Sequence, residues 1–89
     1  MKACGIQVFG KVQGVYFRQS TRDKAIALGL QGFVRNEPDG SVYMEAEGSE
    51  TALQQLEQWC HKGPVLAKVE RIIVTGRPPA GFSGFEIRR

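Results

Sequence analysis

The chain has 89 residues, 42% of them apolar, and a formal net charge of +3 at pH 7. That size suits one core and a single domain over residues 1–89. No apolar run approaches the roughly 20 residues of a helical membrane span, two cysteines are too few for a disulfide framework, and a zinc site needs about four clustered ligands where only His61 could join Cys4 and Cys60.

The opening stretch MKACGIQVFG has neither the apolar block of roughly 7 to 15 residues nor the cleavage site of a secretory leader, so the expected location is the cytoplasm. Free thiols are the expected state there. The positive charge suits an anionic partner without selecting one.

Ile6 to Val12 alternates: Ile6, Val8 and Val12 share one face and Gln7, Phe9 and Lys11 the other, the pattern of a half-buried strand. A helix is predicted to begin near Phe17 or Arg18, because Phe17, Thr21, Ala25 and Leu28 recur on one helical face; Gly29 ends it. Leu30 to Asn36 reads as a second strand, and Glu37-Pro38-Asp39-Gly40 as the turn of a hairpin. On the returning strand Val42, Met44 and Ala46 form the buried side, while Tyr43, Glu45 and Glu47 form the wetter one.

Ser49 is placed to cap a second helix whose stripe is Leu53, Leu56 and Cys60, with Ala52 and Trp59 beside it, and Gly63-Pro64 stops it. Val69 to Thr75 is a long strand, Gly76 to Gly81 a Pro/Gly loop, and Phe85 to Ile87 a short terminal strand. The order β-α-β-β-α-β plus a small addition makes an α+β fold, the ferredoxin-like two-layer sandwich, with an antiparallel sheet and both helices on one face.

The stretch most suited to chemistry is the first strand-to-helix junction, Gly10 to Ser20. Helix-start N–H groups lack intrahelical partners and carry the positive end of the helix dipole. Gly14 lets the backbone of Gln13 to Phe17 bend with its N–H groups converging, and Arg18 adds a fork for two phosphoryl oxygens. The nucleotide-binding patterns G-x-x-x-x-G-K-[ST] and G-x-G-x-x-G are both missing. Taken singly, Gly14 reads equally well as a plain tight turn and Arg18 as a solvated helix residue, and Asn36 reads more readily as an ordinary strand-ending asparagine.

A right-handed crossover through the first helix brings the first two strands parallel, with their C-terminal ends at one edge of the sheet. With the third strand between them, those ends lie about 10 Å apart, twice the roughly 4.8 Å strand spacing, which admits a phosphoryl group and a water that Asn36 can orient.

Gly10-Lys11-Val12-Gln13-Gly14-Val15-Tyr16-Phe17-Arg18 closely resembles the acylphosphatase signature G-x-V-Q-G-V-x-F-R, and Gly32 to Val42 resembles the second signature of that family, G-x-V-x-N-x-x-D-G-S-V. Ala25 to Leu30, Gly63-Pro64 with Ala67 and Val69, and Gly84-Phe85-Glu86-Ile87 extend the likeness along nearly the whole chain. The resemblance implies the ferredoxin-like fold and hydrolysis of a carboxyl-phosphate bond. It implies catalysis by Arg18 and Asn36, and phosphate binding along Gln13, Gly14, Val15, Tyr16, Phe17 and Arg18. The expected partner is a small acyl phosphate, with no cofactor, metal, nucleic acid or membrane, and the protein is expected to be a monomer.

A leaving carboxylate has a conjugate acid of pKa about 4 and departs without a proton, so a junction lacking histidine and carboxylate agrees with this chemistry. RNA binding on the sheet would need the K/R-G-F/Y-G/A-F-V-x-F/Y pattern, which the sequence lacks; a non-catalytic anion-binding module on the same fold is the other alternative. His61 and the Arg88-Arg89 tail are read as solvated, the tail able to raise the potential near an anion.

Overall fold

The computed structural model describes all residues from Met1 to Arg89. Its elements run β1 (Lys2–Lys11), α1 (Phe17–Ala27), β2 (Gln31–Asn36), β3 (Val42–Gly48), α2 (Glu50–Lys62), β4 (Lys68–Arg77) and β5 (Phe85–Arg88). One sheet holds all the strands in the order β4-β1-β3-β2-β5. The four strands of the double β-α-β unit pair antiparallel, as expected. The terminal addition differs, since β5 lies parallel to β2, so the complete sheet is mixed. The reason is topological: the chain leaves β4 at one edge and crosses to the other, entering beside the start of β2.

The helices cover one face because their apolar stripes and that of the sheet coincide. Phe17 and Ala25 of α1 and Leu53, Leu56 and Cys60 of α2 join Ile6, Val8, Val34 and Met44 in one core cluster. Each large side chain so buried contributes about 1.5–3 kcal/mol relative to exposure. α2 starts where its sequence says it should, with the Ser49 hydroxyl accepting from the Ala52 amide at 3.1 Å. The Phe17 and Trp59 rings, one from each helix, meet with centroids 5.5 Å apart. Cys4 and Cys60 are free thiols, and burial pushes both up from the usual range, Cys60 the further.

The other face carries Phe9 under the Arg71 guanidinium at 4.3 Å and Tyr43 under Arg35 at 5.1 Å. Burial, followed by its hydrogen bond to Glu45, pushes the Tyr43 hydroxyl up to about 12. Glu47 departs from the alternation: read as the wetter side of β3, it is fully buried. The loop before β5 folds back over this face, and its Ala80 and Phe82 amides donate to the Glu47 carboxylate at 2.7 and 2.6 Å. β1 also begins earlier than its alternation suggests, because Gly5 breaks the pattern where the Tyr43 ring crosses the backbone.

Candidate active site

Between β1 and α1 the chain alternates between anchoring and exposing itself. Val12, Val15 and Phe17 are buried in the core, whereas Gly14 and Tyr16 stand exposed in left-handed conformations, φ 74° and 63°. Gly14 adopts this readily; Tyr16 is the one non-glycine residue with positive φ, a strained state that costs on the order of 1–3 kcal/mol and gathers at functional sites. Tyr16 is also the N-cap of α1, without a side-chain cap bond, and the first turn holds no acidic residue. From Gln13 to Gln19 no amide donates to a backbone carbonyl of the protein. Such an N-terminus, left bare of carboxylates, attracts an anion.

Gln13 fixes this loop from the side. Its Nε2 donates to the carbonyls of Glu37 and Ser41 at 2.8 and 3.0 Å, tying the loop to the hairpin that follows Asn36. Within that hairpin, the Asp39 carboxylate accepts from the Ser41 amide and hydroxyl, which hold it below the usual carboxylate range. Both signatures of the sequence thus meet through one amide side chain.

A cavity of about 490 Å³ lies at this edge of the sheet, and Gly14, Tyr16, Phe17, Arg18 and Asn36 are among its lining residues. Arg18 and Asn36 therefore face a common space, although 18 positions separate them in sequence. The side chains of Gln13 and Val15 lie elsewhere, one on the hairpin and one in the core. Arg18 donates from Nη1 to the Arg88 carbonyl at 3.2 Å.

The wall also includes Arg22, Ile87 and Arg89, which sequence reasoning did not place there. Arg22 is legible in retrospect, four residues after Arg18 on the same helical face. The residues of β5 become neighbours of the site only once its parallel pairing with β2 is known. Three arginines and no aspartate or glutamate line the cavity, which favours an anion. No group of three or more His, Cys, Asp or Glu side chains is arranged to hold a metal ion, and no helix is long and apolar enough to cross a membrane.

The acylphosphatase family model matches residues 4–87. The chain belongs to the acylphosphatase family. It is 48% identical over 88 residues to an acylphosphatase of Rubrobacter xylanophilus, covering 98% of this chain and 80% of that one. With an acylphosphatase of Anaeromyxobacter dehalogenans it shares 51% identity over 84 residues, 93% of this chain and 90% of the relative. The crystal structure of acylphosphatase from Bacillus subtilis superposes with a TM-score of 0.96 at 39% identity, each chain covered completely. The fold is thus that of the acylphosphatases, and the chain is a hydrolase that cleaves acyl phosphates to carboxylate and inorganic phosphate.

Proposed function

We propose that the backbone N–H groups of Gln13 to Phe17 and the Arg18 guanidinium hold the phosphoryl group of the substrate, while the Asn36 amide orients the water that attacks it in line. The observation that carries this reading is the run of amides without a protein acceptor, next to a cavity whose wall includes both Arg18 and Asn36. Phosphoryl transfer through a loose transition state asks chiefly for positioning and for donors to the equatorial oxygens. The departing carboxylate needs no general acid, and the phosphate of the substrate itself takes the proton of the attacking water. Metal has no step in this scheme, so hydrolysis persists in EDTA.

The reading extends to a monomer working in the cytoplasm on a small acyl phosphate. Free Cys4 and Cys60 agree with a reducing compartment.

Benzoyl phosphate hydrolysis in EDTA tests the assignment. By comparison with single oxyanion donors, Arg18→Ala costs about 3 kcal/mol or more in the transition state, a loss of roughly a hundredfold upward. Near-normal turnover by Arg18→Ala contradicts its role. Asn36→Ala lowers kcat more than it weakens substrate affinity, because its contact is to the nucleophile; a raised KM at unchanged kcat rejects that role. An anion-binding module without turnover would show inorganic phosphate binding alone.

A further inference from the structure

Glu47 takes no part in the hydrolysis described above, yet it is fully buried and no lysine or arginine pairs with it. Its hydrogen-bond partners are the Ala80 and Phe82 amides, one to each carboxylate oxygen. Taking a carboxylate out of water without a cation is unfavourable for stability alone. What the contact does achieve is to fix the loop that leads into β5.

From there the connection to the active site is continuous. The Gly84 carbonyl accepts from the Gly32 amide at 2.9 Å, and β5 then pairs with β2 from Gly32 opposite Phe85 to Arg35 opposite Arg88. Because the pairing is parallel, β5 starts at the end of the sheet that holds Glu47 and finishes at the end that holds Asn36. There the Arg88 carbonyl accepts from Arg18, and Ile87 and Arg89 complete the cavity wall. A second link runs over the outer face, where Phe82 meets Phe33 edge-on at 5.6 Å and the Arg88 guanidinium lies 4.0 Å above Phe33. β5 has four residues and pairs with β2 alone. A terminal strand that short frays unless it is tied down.

We propose that Glu47 is a positioning residue for acyl phosphate hydrolysis: by fixing residues 80–82 it sets the placement of β5, and β5, through the Arg88 carbonyl, sets the orientation of the Arg18 guanidinium. This rests on Arg18 being the group that holds the phosphate. The linkage spans the sheet from end to end, so it acts on the arginine without touching substrate.

The test is a double-mutant cycle between Glu47→Gln and Arg18→Ala. Benzoyl phosphate hydrolysis and inhibition by inorganic phosphate are measured at a temperature where circular dichroism shows every variant folded. Glu47→Gln keeps the size of the side chain but turns an NH2 group toward one of the two amide donors. In the wild-type background it lowers kcat/KM by about tenfold to a hundredfold and weakens phosphate inhibition, the range that small misplacements of catalytic groups produce. In the Arg18→Ala background the same change costs less than about threefold, since the guanidinium it would misplace is gone.

Equal losses in the two backgrounds, or lowered thermal stability with unchanged kcat/KM per folded molecule, overturn the proposal and leave Arg18 in its role. Near-normal hydrolysis by Arg18→Ala alone overturns the assignment of Arg18 instead. Glu47→Asp, whose carboxylate is one methylene short of the loop, provides a second cycle with the same two outcomes if the glutamine variant does not fold.

Discussion

Gly63, just past the end of α2, ties the stability of the helical layer to the geometry of the site. It adopts φ 68°, and a Cβ built there falls 2.6 Å from Cε2 of Phe17, the first residue of α1. Gly63→Ala therefore brings two penalties. With ψ at −167° its backbone lies in a region that essentially only glycine occupies, which costs an L-residue about 1–3 kcal/mol, and forcing a methyl into packed surroundings costs about 1–3 kcal/mol more. Gly29→Ala is the control without a contact, because Gly29 also has positive φ, 73°, but no atom lies within 4 Å of its built Cβ.

In urea unfolding Gly63→Ala loses more than Gly29→Ala by at least the contact, about 1–3 kcal/mol, or roughly a 1–2 M lower midpoint at the slope of a small protein. Phe17 cannot retreat freely, since it is 2% exposed and packs on Trp59. The push is thus transmitted to the start of α1, and kcat/KM toward benzoyl phosphate falls in Gly63→Ala but not in Gly29→Ala. Midpoints that agree within about 0.3 M, corresponding to a few tenths of a kcal/mol, would refute the reasoning, because the Phe17 contact would then contribute nothing.

Ser49→Ala removes the hydroxyl that caps α2 and lowers stability by about 1 kcal/mol in chemical denaturation, with kcat unchanged because α2 lies away from the cavity wall. Tyr43 ionises at about 12 in the folded chain and at about 10 when unfolded. Its contribution is whole below the lower value and is lost as pH rises through the higher one, so stability declines across that window; Tyr43→Phe shows a shallower decline when unfolding is followed against pH. Buried Cys60, its thiol pushed up by desolvation, resists alkylation under native conditions, and its modification rate, followed by mass spectrometry, rises with denaturant in step with global unfolding.

The sequence displayed the parts of the site that depend on local chain geometry. The strand-to-helix junction, the hairpin after Asn36 and the Ser49 cap all rest on residue types within a few positions of one another. The meeting of Arg18 with Asn36 at one cavity was also legible, because a crossover through α1 makes β1 and β2 parallel and so brings their C-terminal ends to one edge. Features made by remote backbone were not. Glu47 sits in a regular alternation that marks it for solvent, and only the returning loop, 33 and 35 positions later, buries it. Nor does tyrosine advertise a left-handed conformation, so the strain at Tyr16 had no sequence signal. Arg89 reaches the cavity through a parallel pairing that no alternation pattern specifies.

The alternation of Val12, Val15 and Phe17 with the exposed residues between them has a thermal consequence. Every second or third position of the segment from Val12 to Phe17 is embedded in the same apolar cluster that supports the sheet, so the segment has no hinge about which to loosen separately. Warming should leave turnover intact up to the cooperative transition of the whole domain and abolish it there, without the earlier inactivation seen where a catalytic loop melts ahead of its scaffold.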